Sequence, residues 1–188
     1  MEEYFYGEIR NRDEQQVYRT AVHEAAHAYI YSLSGKKPVY LTVISRGNFG
    51  GYMQREDEEN KGTTSREEFI WMIRTSLAGR LGEEVVFGDQ ESVNSGARSD
   101  LQNASSIALK MLTMYGMQDD CLFSMPLETI MHSELMPLYA KKAEEILQEQ
   151  KKVCRDLIEK GKGKIIKLAR ELSKKNHLNT EEIAEILE

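Results

Sequence analysis

The chain has 188 residues, of which 40% are hydrophobic and 30% charged, with only 3 prolines; this fits one folded domain with a sizeable core and excludes a disordered or fibrous protein. A formal net charge of −6 leaves no overall positive field to hold a phosphate backbone, so nucleic acid is not an expected partner. The lysine pairs Lys141-Lys142, Lys151-Lys152 and Lys174-Lys175 alternate with glutamates, which is the pattern of a solvated helix face.

In chain order, residues 1–30 are acidic and polar, without the basic-then-apolar order of a secretory signal. No apolar run approaches the roughly 20 residues that span a bilayer. Cys121 and Cys154 form no Cys-x-x-Cys pair, and two reduced thiols fit a soluble, cytoplasmic chain with no membrane segment. From about Asp13 to Leu33 the residues favour a helix, closed by the Gly35 and Pro38 of SGKKP. VYLTVIS, from Val39 to Ser45, is β-branched, and RGNFGGYM adds a glycine turn and a return segment, which predicts a hairpin.

A charged loop follows, and Ser65 with Glu68 forms a capping box for a helix over about Arg66 to Phe87. Phe69, Ile73, Leu77, Leu81 and Val85 fall on one face of it, and Gly88 ends it. DQESVNSGA reads as a polar loop before a helix from about Ser99 to Tyr115 with Leu101, Ala104, Ala108, Met111 and Tyr115 as its stripe. After a less regular stretch, Ser133 is expected to cap a helix bearing Leu138, Ala143, Ile146, Leu147, Val153, Leu157 and Ile158. Gly161 to Gly163 is expected to end that helix before two more, the last capped by Asn179 or Thr180.

The chemistry is concentrated in TAVHEAAHAYI, residues Thr20 to Ile30. Positions i and i+4 of a helix lie about 40° apart around its axis, so His23 and His27 project side by side and their imidazoles can share one Zn²⁺. Glu24 lies within reach of a water on that metal; this is the His-Glu-x-x-His arrangement. A catalytic zinc needs a third protein ligand and an open position. With Ile30 and Leu33 where the longer His-rich motif would need Gly and His, that ligand comes from elsewhere. A glutamate on a following helix, Cys121, Cys154, His132 and His177 all stand open on the residues alone.

Five ordered segments, HEAAHA, TVISRGNFGGYMQ, GRLGEEVVFG, SGARSDLQNA and YGM, together with the tail HLNTEEIAEILE, resemble the peptidase domain of FtsH-type ATP-dependent zinc metalloproteases over nearly the whole chain. The resemblance implies a mainly α, zincin-like helical peptidase domain with a small β-sheet or hairpin near residues 39–54 and a C-terminal helical bundle. It implies one domain over 1–188, with a catalytic core over 1–117 and a C-terminal helical part over 118–188. It also implies Asp100 as the third zinc ligand and Glu83 as the carboxylate behind a ligand histidine. Glu84 would then be a helix-surface residue. The activity implied is that of a zinc metalloendopeptidase on extended or unfolded polypeptides, through a metal-activated water with Glu24 as general base. The strand around Val43 and Ile44, with Gly50, Gly51 and Tyr52, is expected to pair with the peptide along a free edge.

Two departures stand out. The family's glycine between the ligand histidines is Ala26 here, and no G-x-x-x-x-G-K-[ST] occurs, so no ATPase domain is expected in this chain. The chain is then expected to be a stand-alone peptidase, a module of a longer protein, or the partner of a separate ATP-dependent unfoldase, and a homo-oligomer, hexameric by resemblance, is an expected assembly. The alternative is a catalytically inactive interaction module on the peptidase fold.

Overall fold

The computed structural model describes residues 13–44, 50–56, 63–88, 95–117 and 123–188. The chain is mainly α. Helix α1 (Glu14–Leu33) starts where the Asp13 carboxylate accepts the Gln16 N–H at 2.7 Å. Strands β1 (Pro38–Thr42) and β2 (Tyr52–Arg55) lead to α2 (Arg66–Phe87), which opens with the predicted capping box between Ser65 and Glu68 and stops at Gly88 with φ +99°. A 3₁₀ turn (Ser95–Ala97) passes into α3 (Arg98–Thr113). Then follow α4 (Leu127–Met131), α5 (Met136–Lys175), β3 (His177–Asn179) and α6 (Thr180–Leu187), the last capped by Asn179 and Glu182.

The core lies where α1, α2 and α5 meet, and α1 is buried almost all round from Ala21 to Tyr31: Ala21, Val22, Ala25, Ala26, Ala28 and Ile30 are fully covered. On α2 the predicted face holds, with Ile73, Leu77 and Leu81 buried and Phe69 and Val85 packed against them. On α3 it holds for Ala104, Ala108 and Met111. Tyr115, however, lies past the end of α3 and is half exposed, its ring 5.2 Å from that of Phe69. Among the described residues no helix is long and apolar enough to cross a membrane.

Three expectations change. Gly161 and Gly163 do not end a helix: α5 runs through both for 40 residues. Glycine costs about 1 kcal/mol in a helix interior. Ile158, Ile165, Leu168 and Leu172, all fully buried on the same stripe, contribute about 1.5–3 kcal/mol each and outweigh it. Gly161 is also a contact residue, since a Cβ there would meet the Tyr29 ring at 2.1 Å. Ser133 does not cap α5, whose N-cap is Leu135 with proline in the first turn, and Leu138 is exposed while Tyr139 takes the buried position.

The third change concerns the sheet. Its order is β2-β1-β3, both pairs antiparallel, with Leu41 opposite Met53 on one side and Leu178 on the other. Strand β1 is therefore central and has no free edge; the outer strand on the hairpin side is β2. Residues next to the C-terminus thus complete the sheet whose hairpin lies near the start. Strand β3 has only three residues, too few for an alternating pattern to reveal it in the sequence.

Candidate metal centre

Helices α1 and α2 run in opposite senses with their side chains in register. Steps of four along α1, Arg19, His23 and His27, meet steps of four back along α2, Glu83, Gly79 and Thr75. Two glycines permit the close crossing. A Cβ on Gly79 would sit 2.3 Å from Nε2 of His23, and a Cβ on Gly82 would sit 2.4 Å from the Cβ of Ala26. The extra methyl at Ala26, relative to the family pattern, is accommodated by the bare backbone of Gly82 across the interface.

Each histidine is fixed through its Nδ1. His27 Nδ1 lies 2.7 Å from the Thr75 carbonyl oxygen, to which it donates, which leaves Nε2 as the ring nitrogen that faces the cleft. His23 Nδ1 lies 2.8 Å from Glu83 Oε1. The two Nε2 atoms converge on Asp100, in the first turn of α3: Oδ2 is 3.0 Å from Nε2 of His23 and 3.3 Å from Nε2 of His27. One ligand atom from each of the three residues lies within 4.8 Å of the others.

These separations fit a metal ion. Two ligand atoms about 2.0–2.1 Å from zinc at a tetrahedral angle are roughly 3.3 Å apart. The charge balance fits as well. Burial alone would disfavour the His23 imidazolium, but its hydrogen bonds to Asp100 and Glu83 and the nearby Glu24 charge outweigh that and raise its pKa to about 10. Burial alone would likewise raise Asp100, yet hydrogen bonds and charge from His23 and His27 hold its carboxyl well below the usual carboxylate range. The carboxylates on either side of His23 thus favour a positive charge at this point. A divalent cation can supply it.

The cluster opens into a cleft of about 570 Å³, lined by Glu24, Gly50, Gly51, Tyr52, Ser99 and Asn103 among others. Glu24 is 6% exposed. Gly51 lets β2 approach it closely: a Cβ there would meet the Thr42 carbonyl at 2.6 Å and press on Glu24 Cγ at 3.2 Å. Of the residues expected on the peptide-binding strand, Gly50, Gly51 and Tyr52 line the cleft. Val43 and Ile44 are not among its lining residues. Val43 is buried, with its N–H on the Asn176 carbonyl at 3.0 Å, because β1 lies inside the sheet rather than at its edge.

The adjacent glutamates separate cleanly. Glu83 faces His23 and Arg19, while Glu84 turns away to Arg80 at 2.9 Å and Arg155 at 3.4 Å. Contrary to the expectation of a surface position, Glu84 is only 5% exposed, because α5 covers that flank and brings Arg155 to it. The other candidate ligands lie elsewhere. Cys154 is fully buried with its thiol 3.4 Å from the Arg74 carbonyl and its pKa pushed up by burial to about 12. His177 stacks on Tyr40, His132 follows α4, and Cys121 lies outside the described residues. Arg19 lies outside every quoted segment and is legible only as the residue one turn before His23, while Asn103 lies within SGARSDLQNA but carries no assigned role there.

The model of the family described as Peptidase family M41 matches residues 10–186. The ATP-dependent zinc metalloprotease FtsH 2 of Symbiobacterium thermophilum is 31% identical over 178 residues, 90% of this chain and 30% of that protein. The FtsH protein of Caldicellulosiruptor bescii, carrying the same description, is 30% identical over 184 residues, 89% of this chain and 29% of its own length. That of Mycoplasma mobile is 40% identical over 107 residues, covering 56% of this chain and 15% of its own. The chain thus spans less than a third of the length of these relatives.

Proposed function

Because this chain belongs to peptidase family M41, we propose that it is a zinc metallopeptidase hydrolysing peptide bonds of extended or unfolded polypeptides. The observation that carries this reading is the convergence of His23 Nε2, His27 Nε2 and Asp100 Oδ2 at the floor of a cleft that Glu24 lines. Zinc held by those three residues would supply a Lewis acid that acidifies water and polarises a peptide carbonyl.

The chain's own residues do the rest. The Thr75 carbonyl fixes the His27 tautomer, and the Glu83 carboxylate orients His23 through Nδ1, raising its basicity as a ligand. Glu24 takes a proton from the attacking water on its carboxylate and returns it to the leaving amine nitrogen. The extended peptide lies along β2, the strand beside the cleft, where main-chain hydrogen bonding tolerates many sequences. An ATP-dependent unfoldase that feeds the cleft, and a homo-oligomer that encloses it, belong to this reading on the strength of the family relationship.

Casein or an unfolded peptide serves as the test substrate. Cleavage is expected to stop with a chelator and to return with added zinc. Cleavage that survives chelation would remove the metal from the mechanism, and zinc-loaded protein that cleaves nothing would favour a binding module on the same fold.

A further inference from the structure

Arg19 lies one turn before His23 on α1 and reaches Glu83 across the helix crossing, its Nη1 3.2 Å from Oε2. The other oxygen of the same carboxylate, Oε1, is the one 2.8 Å from His23 Nδ1. Building on the reading of His23 as an ion ligand, we infer that Arg19 is a positioning residue of the centre: it holds the Glu83 carboxylate in the rotation that meets His23, and so governs how tightly the ion is held.

The geometry separates Arg19 from an ordinary surface ion pair, in which both side chains are wet and mobile. Glu83 is buried, with 6% of its side chain exposed, and the Arg19 side chain is two-thirds covered. The guanidinium is pinned from its other face, with Cζ 4.9 Å from the centroid of the Phe87 ring, and Phe87 is held edge-on by Tyr18 at 6.0 Å. A carboxylate can turn about its terminal bond, since sp³–sp² torsions are broad. Gripping one oxygen with a fixed donor removes that freedom and aims the other. The planar fork of arginine suits this better than the flexible ammonium of lysine. The path therefore runs Tyr18, Phe87, Arg19, Glu83, His23, with each link a direct contact of the fold.

The test uses the full chain and three variants, Arg19→Met, Arg19→Gln and Arg19→Lys, with zinc affinity measured by competition against a chromophoric chelator and the melting temperature of each metal-free protein measured alongside. Methionine keeps the packing on Phe87 and removes the donors. Arg19→Met is expected to weaken zinc binding by about 10–100-fold, as loss of an outer hydrogen-bonding partner does. Metal-free melting is expected to drop only modestly, because the buried Glu83 carboxylate loses one charged partner but keeps His23. Arg19→Lys should recover part of the loss, and adding Glu83→Gln to Arg19→Met should cost little more, because the two act through one carboxylate. Should Arg19→Met fold poorly, Arg19→Gln and Arg19→Lys carry the same comparison. Wild-type zinc affinity in the variants, or independent additive losses from Arg19 and Glu83, overturns the inference and leaves the zinc reading intact. A wild-type chain that takes up no zinc overturns both.

Discussion

Glu24→Gln is expected to bind zinc as the wild type does and to lose peptidase activity by about 10²–10⁴-fold in kcat, the range that a positioned general base contributes. Glutamine matches glutamate in shape, so the packing of Glu24 beside Gly51 on the cleft wall should survive. What it lacks is a lone pair basic enough to accept a proton from water near neutral pH. Zinc affinity measured with the same protein separates the possibilities. Full activity would move the proton to another group, and loss of zinc would make Glu24 a support of the centre rather than its base.

Gly79→Ala is expected to abolish tight zinc binding although residue 79 offers no ligand atom. The new methyl would lie 2.3 Å from Nε2, 2.4 Å from Cε1 and 2.6 Å from Cδ2 of His23, closer than any real contact. Moving the helices apart would open the packed core of the crossing, where Val22, Ala26 and Leu81 are buried. The imidazole must yield, and it leaves the convergence point shared with His27 and Asp100. Affinity should fall by more than the roughly 10–100-fold typical of an outer partner, with overpacking costing about 1–3 kcal/mol of stability. Gly163→Ala is the matched control: a Cβ there meets nothing within 4 Å, so helix propensity should make it neutral or stabilising by up to about 1 kcal/mol. Wild-type zinc affinity in Gly79→Ala would show that His23 is free to move, and would contradict the locked geometry.

Much of this architecture was legible in the residues. The cap of α2 was legible as Ser65 with Glu68, and that of α6 was narrowed to Asn179 or Thr180, of which Asn179 is the cap, because a capping side chain acts within three residues of itself. The two histidines were legible for the same reason, since i and i+4 on one helix need no tertiary information. Asp100 was different. It comes 73 positions after His27, and only resemblance to a family pointed to it.

What stayed hidden was set by packing at long range. The passage of α5 through Gly161 depends on Tyr29, which fills the space that a side chain would take. The burial of Glu84 depends on Arg155 arriving from α5, and the central place of β1 depends on a three-residue strand that joins it from the far end of the sequence. A glycine that reads locally as a stop, a glutamate that reads as surface and a strand that reads as an edge are all reassigned by partners more than 70 residues away. The role inferred for Arg19 belongs to the same class: its meaning lies in Glu83, on another helix.

The most direct test of the zinc centre is X-ray absorption at the zinc edge on the purified chain, with metal content determined on the same sample. One zinc per chain is expected, with only nitrogen and oxygen neighbours at about 2.0–2.2 Å and a signature of two imidazoles. A chain without zinc, or a sulfur neighbour at about 2.3 Å that would bring a cysteine into the coordination, would contradict a centre built from His23, His27 and Asp100.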